Sequence, residues 1–142
     1  MDTLTPGQRS ERMGRIRGQN TAPEAVVRRI VSVLGYRYRL HVGRLPGRPD
    51  LVFASRKKVI FVHGCFWHRH RNTHCRLARL PKSRQDFWLP KLEANSSRDR
   101  RNLLALRRTG WHSLVIWECQ LRDVVGLSRR VRRFLERDED FA

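Results

Sequence analysis

Six Cys and His residues of this chain have a spacing that could bind a metal ion, and it is the first feature that reads as chemistry. Cys65 and Cys75 flank His68, His70 and His74, and Cys119 lies well downstream. A tetrahedral zinc site takes four thiolate or imidazole ligands. The best set is Cys65, His70, Cys75 and Cys119, a C-x4-H-x4-C run followed by a distant cysteine. Three of these would organise a long loop, and the fourth would tie it to the end of a strand, offsetting the entropy of ordering it. His74 is an alternative to His70, although its place beside Cys75 strains ligation by both. The spacing matches no common zinc finger, so buried free thiols with solvent histidines stand as the other reading. The three cysteines are odd in number and follow a start without a secretory signal, which argues against a disulfide framework.

A second group of residues could hydrolyse a phosphodiester. That reaction needs charge neutralisation at the phosphate, an activated water and a proton for the leaving oxygen. Asp50 follows the stiff turn Leu45-Pro46-Gly47-Arg48-Pro49, which can fix a carboxylate at a sheet edge where magnesium could bind. Magnesium accepts few protein ligands, and a backbone carbonyl of the neighbouring strand could be the next. His63 and His68 follow that strand, within reach as base, acid or phosphate contact. Each has a plainer reading. Asp50 can be a turn residue, His63 a strand-end hydrogen-bonding group, and His68 a solvent-exposed side chain. Glu24 is explained by a helix capping box, and Asp99 by ion pairing with Arg98, Arg100 and Arg101. Phe66 and Trp67 lie in the loop and could wedge into base stacks or pack beneath it. Met13, in a basic segment, could insert into a groove or simply pack.

Charge favours the nucleic-acid readings. Among 142 residues, 31 Lys and Arg oppose 13 Asp and Glu, for a formal net charge of +18. An excess of that size on a short chain calls for a polyanionic partner. No apolar run is long enough to span a membrane, so no membrane role is expected. The chain is expected to work in the cytoplasm, at a bacterial-type nucleoid.

The elements that must hold these residues follow from periodicity. Thr21-Ala22-Pro23-Glu24 reads as a capping box opening a helix that Gly35 ends. Residues 36–40 alternate like a strand, a second strand begins at Asp50, and Val59 to His63 is a buried third. Gly64 to Lys82 reads as an irregular metal loop. Ser83-x-x-Asp86 starts a long helix running to Thr109, which Pro90 should kink or restart. His112 to Trp117 is a fourth strand and Val124 to Arg137 a basic amphipathic helix, followed by an acidic tail. The expectation is one α/β domain over residues 1–142, a mixed sheet flanked by helices with a structural zinc site. The short-connected strands should be antiparallel and the strand after the long helix parallel. Residues 1–20 would be a basic DNA-contacting segment, 64–82 the zinc and aromatic loop, and 123–142 the terminal helix and tail.

The motifs together resemble the very short patch repair endonucleases, the Vsr family of T:G mismatch enzymes. They are Leu45-Pro46-Gly47-Arg48-Pro49-Asp50 and Phe61-Val62-His63-Gly64-Cys65-Phe66-Trp67-His68, with Phe87-Trp88, Arg98-Asp99-Arg100-Arg101, Gly110-Trp111 and Trp117-Glu118-Cys119 downstream. The resemblance covers roughly residues 8 to 122. It implies a restriction-endonuclease-like core of the PD-(D/E)xK type, with Asp50 and the Val62 backbone carbonyl on Mg2+. His68 would be the general base, His63 a second catalytic histidine, and Glu24 and Asp99 acidic residues that organise water or histidine. Cys65, His70, Cys75 and Cys119 match structural Zn2+ ligands, and Met13, Phe66 and Trp67 match residues that intercalate beside the mismatch. The usual second acid and lysine of the nuclease motif are absent, and Val62 stands where some relatives carry Thr.

The function expected on this basis is nicking of double-stranded DNA on the 5′ side of the thymine of a T:G mismatch, in repair of deaminated 5-methylcytosine. Mismatch-repair proteins are implied partners, and the enzyme would act as a monomer. A restriction-like or general nicking enzyme of the same fold, and a non-catalytic zinc-stapled DNA-binding module, are the alternatives.

Overall fold

The computed structural model describes residues 21–72 and 74–137. Met13, the basic segment 1–20 and the acidic tail lie outside the described residues. Helix α1 spans Ala22–Val33; the Thr21 hydroxyl accepts the Glu24 amide at 3.3 Å, and Pro23 sits in the first turn. Gly35, at φ +89°, reverses the chain, and the Tyr36 amide donates back to the Val31 carbonyl at 3.2 Å. That bond shortens the first strand relative to expectation. Tyr36 closes the helix, so β1 is only Arg39–Leu40. It ends at His41, whose φ is +48°.

Strand β2 is Leu51–Phe53, β3 is Lys58–His63 and β4 is His112–Trp117. The sheet order is β1-β2-β3-β4. β2 is antiparallel to both β1 and β3, and β4 runs parallel to β3, as the connection lengths predict. Helix α2 spans Gln85–Arg108 and supplies the crossover; α3 spans Val124–Glu136.

The start of α2 differs from the expectation, and Pro90 does not restart the helix. Ser83 does not cap it: the cap is Arg84, in a left-handed conformation with no side-chain bond. Pro90 lies inside one continuous helix. The carbonyl that loses its partner to Pro90 belongs to Asp86, in the exposed first turn, where water can satisfy it.

Both sheet faces are covered, which is why the strands read as nearly unbroken apolar runs. Leu51, Phe53, Ile60 and Ile116 face α1 and α3, packing on Val27, Ile30, Val31, Leu127, Val131 and Leu135. The alternate residues Val52, Val59 and Phe61 face Leu106 of α2. The register Leu51↔Ile60 and Val52↔Val59 keeps each apolar set on its own face. Lys58 is buried, its ammonium donating to the Phe134 carbonyl at 2.6 Å and to the Arg137 carbonyl. A cation therefore completes the negative end of α3. Among the described residues, no helix is long and apolar enough to cross a membrane.

Candidate active site and metal centre

Asp50 enters β2 from a turn with little freedom. Pro49 is fully buried, and a Cβ on Gly47 would meet Asn102 Cβ and Phe61 Cε1 at 3.1 Å. The turn is pressed between α2 and the sheet. The carboxylate is held at one oxygen: Oδ2 accepts the Val62 amide across the β2–β3 pair at 2.7 Å. Burial pushes the Asp50 pKa up to about 6, against the Val62 hydrogen bond, with the nearby Glu24 carboxylate adding to the rise. His41 and His68 act the other way. A desolvated carboxylate facing a second one is a group whose ionised form a cation would stabilise strongly.

Glu24 is the second carboxylate. Its amide makes the helix cap, as the capping-box reading requires, but its side chain is buried and turns to the sheet. Oε1 lies 2.5 Å from His41 Nε2 and 3.7 Å from Arg28. The local signature therefore accounted for the backbone of this residue and not for its carboxylate. His41 itself was missed. Its Nε2 is 3.9 Å from Asp50 Oδ1, and its amide donates to the Asp50 carbonyl at 3.3 Å. Hairpin pairing across the Pro-Gly-Arg-Pro turn was the signal that could have found it, since it sets position 41 opposite position 50.

On the other side of Asp50, His63 at the end of β3 stacks on His68, with ring centroids 3.9 Å apart and planes 4° from parallel. His68 Nδ1 is 2.6 Å from Asp99 Oδ2. Asp99 is thus not a surface partner of its flanking arginines: Arg98 donates to Asn95 and Arg100 to Ser97. A carboxylate on Nδ1 holds that nitrogen protonated and leaves Nε2 to accept a proton. His63 is buried, and its pKa falls to about 3, through burial first and the charge of His68 second, partly opposed by Asp99. It is therefore a neutral imidazole at physiological pH.

The Cys and His residues of the loop meet the end of β4. Donor atoms of Cys65, His70, Cys75 and Cys119 all lie within 4.8 Å of one another. The Cys119 amide donates to Cys65 Sγ at 3.4 Å, and Cys119 Sγ is 3.6 Å from His70 Nδ1. His74 is exposed and outside this group, and its amide donates to Asn72 Oδ1 at 2.9 Å. Burial drives the Cys65 thiol up to about 12, so it would ionise only beside a positive charge. Three thiols and an imidazole facing a common centre fit a tetrahedral thiophilic cation such as zinc. Trp117 joins the two regions: it stacks on His70 at 4.2 Å and sets an edge against His63 at 5.1 Å.

Phe66 and Trp67 form a half-buried aromatic group with Trp88 and Phe87 of α2. Phe66 is 5.6 Å from Trp88, and Trp67 is 6.0 Å from it. Phe87 is exposed. Next to the loop, an open cavity of about 590 Å³ is lined by Arg69, Arg71, Arg76 and Arg79 among others.

Known proteins are similar to this chain in sequence and in fold. Residues 1–75 match the family model described as DNA mismatch endonuclease Vsr. The chain is 50% identical over 135 residues to the type II nicking enzyme V.XorIIP of Xanthomonas oryzae, covering 95% of this chain and 97% of that protein. It is 43% identical over 121 residues to the DNA mismatch endonuclease Vsr of Escherichia coli, covering 85% of this chain and 76% of that protein. Among solved structures, the catalytic domain of homing endonuclease I-Bth0305I is similar in fold, with a TM-score of 0.55 at 19% identity, over 81% of this chain and 94% of that one. With a carboxylate pinned at the mouth of a mixed sheet, a stacked histidine pair beside it and relatives matched over most of its length, the chain belongs to the DNA mismatch endonuclease Vsr family and is a DNA endonuclease.

Proposed function

We propose that this enzyme nicks double-stranded DNA on the 5′ side of the thymine of a T:G mismatch, by magnesium-dependent hydrolysis. The observation that carries the reading is a buried carboxylate, Asp50, grouped with Glu24 and His41 and within electrostatic reach of His68, which pairs with Asp99. Asp50 and the Val62 backbone carbonyl would hold the cation, which supplies charge neutralisation at the scissile phosphate. His68 takes a proton from the attacking water at Nε2, and Asp99 stabilises the imidazolium that results. As the water oxygen bonds to phosphorus the ester P–O bond breaks, and the departing oxygen takes a proton from solvent water. His63, neutral and stacked on His68, fixes the plane of that ring and faces the phosphate. Glu24 orients water at the carboxylate mouth.

Cys65, His70, Cys75 and Cys119 would hold a structural zinc ion that shapes the loop carrying His68. Met13, Phe66 and Trp67 would enter the stack beside the mismatch, and the arginine surface would hold phosphates. The enzyme would act as a monomer, with mismatch-repair proteins as its partners. The names of several relatives, type II nicking enzymes, favour a second reading in which a flanking sequence rather than the mismatch dominates recognition.

A nicking assay with magnesium on T:G and matched T:A duplexes separates these readings. Strong preference for T:G supports the first, and equal cutting the second. Cleavage that survived both Asp50→Ala and His68→Ala would overturn the assigned site.

A further inference from the structure

We propose that His41 is a nitrogen ligand of the divalent cation held at Asp50, so that the site binds Mn2+ or a similar transition ion more tightly than Mg2+. The inference rests on the reading that Asp50 binds the catalytic cation, and it adds a residue to that site.

Asp50 has one oxygen committed. Oδ2 accepts the Val62 amide, which leaves Oδ1, and Oδ1 is the atom that faces His41 Nε2 at 3.9 Å. Glu24 Oε1 lies on the other side of the same nitrogen at 2.5 Å, and all three donor atoms fall within 4.8 Å of one another. Two ligands each about 2.1 Å from one ion sit roughly 3 Å apart at a right angle and roughly 4.2 Å apart when opposite. The Nε2–Oδ1 separation lies inside that range, and a small outward rotation of Glu24 would bring it in as well.

Nε2 is also shielded from solvent and approached by two carboxylate oxygens, Glu24 Oε1 at 2.5 Å and Asp50 Oδ1 at 3.9 Å, an anionic setting that suits a cation. The ring cannot easily leave. The His41 amide is bonded to the Asp50 carbonyl, and β1 pairs with β2 immediately before it.

An imidazole in this shell changes which ion is favoured. Sites built from carboxylate, carbonyl and water suit Mg2+, whereas imidazole donors suit first-row transition ions. The competing account is an ion pair in which His41 only steadies Glu24, and it leaves no nitrogen on the cation.

Pulsed EPR on the zinc-loaded full chain with Mn2+ separates the two accounts. The wild-type protein should show modulation from a directly bonded nitrogen. His41→Gln, which offers an oxygen in the same place, should lose it, and His68→Gln should keep it. Titration should give Mn2+ an affinity at least about tenfold above that of Mg2+, and His41→Gln should narrow that gap several-fold. Nitrogen modulation that is missing from Mn2+-loaded wild type, or that persists in His41→Gln, overturns the proposal while leaving Asp50 as the cation's carboxylate. Equal Mn2+ affinity in wild type and Asp50→Ala would overturn the underlying reading, and the role of His41 with it.

Discussion

Among the described residues, ligand-type side chains gather as a thiol cluster and as two carboxylate–imidazole groups, Glu24–His41–Asp50 and His63–His68–Asp99, and the thiol cluster is built differently from the other two. The thiol cluster draws Cys65, His70 and Cys75 from a loop with almost no regular structure, and only Cys119, just past β4, comes from the scaffold. The carboxylate–imidazole groups draw mainly on parts the fold makes anyway. Asp50 is set by a hairpin turn, Glu24 by a capped helix, His63 by a central strand and Asp99 by the long helix. A loop of this kind needs an added bond to stay ordered. Asp50, Glu24, His63 and Asp99 need none, because the helices and the sheet that carry them form without it; His68, which rides on the thiol loop, is the exception. The first region should therefore depend on its metal for structure, and the second mainly for chemistry. Trp117, which touches both, carries the influence of one to the other as packing.

Removing each region in turn tests that division. Asp50→Ala should lower nicking by roughly a thousandfold or more, since cation stabilisation of the phosphate is worth several kcal/mol. Its thermal midpoint should not fall. Cys119→Ala should act first on structure. It should lose stoichiometric zinc and several degrees of melting temperature, with part of its activity recovered at a temperature where it is folded and the rest lost with the shape of the loop that carries His68. Metal analysis and calorimetry on the two variants read both effects, and loss of fold in Asp50→Ala would break the comparison. Within the Asp50 region, His68→Ala should cost about a hundredfold or more in kcat, the range for a general base. Asp99→Asn should cost less, because it removes only the group that orients the base. Single-turnover rates on the same duplex would check the order, and a larger loss for Asp99→Asn would reverse the assigned roles.

Much of this arrangement was legible before any coordinates. Thr21, Pro23 and Gly35 mark α1 at both ends, and the antiparallel and parallel pairings follow from connection length. The Pro-Gly-Arg-Pro-Asp turn and the cysteine and histidine spacing mark both candidate sites. What was not legible depends on partners distant in sequence. His41 looks like any loop residue until β1 is laid against β2. Glu24 carries a local capping signature that hides where its carboxylate goes. Lys58 reads as a turn residue, yet it is buried because the carbonyl end of α3, more than seventy residues later, needs a donor. Pro90 misleads in the opposite way, since a local helix-breaking rule meets an exposed first turn where the lost bond costs little.

The smallest predicted effect concerns pH and stability. Asp50 has its folded pKa raised to about 6 from an ordinary 3.8. The folded protein thus holds this proton more tightly than the unfolded chain, and the associated stability is complete below pH 4 and lost as pH rises through 6. Asp50→Asn has no such loss. In zinc-replete buffer free of magnesium and manganese it should match wild type at pH 4 and exceed it at pH 7. A shift of this size sets an upper limit on the order of 3 kcal/mol. His63, with its pKa lowered to about 3, acts in the other direction, contributing stability above pH 6.5 that is lost as pH falls. It is present in both proteins and cancels in the difference. Adding the divalent cation at pH 7 should raise the wild-type midpoint and leave the variant's unchanged, closing the gap. That behaviour would identify Asp50 as a residue kept at a cost to the fold because the chemistry requires it. A variant no more stable than wild type at pH 7 would mean that the carboxylate is not under the electrostatic load its burial implies.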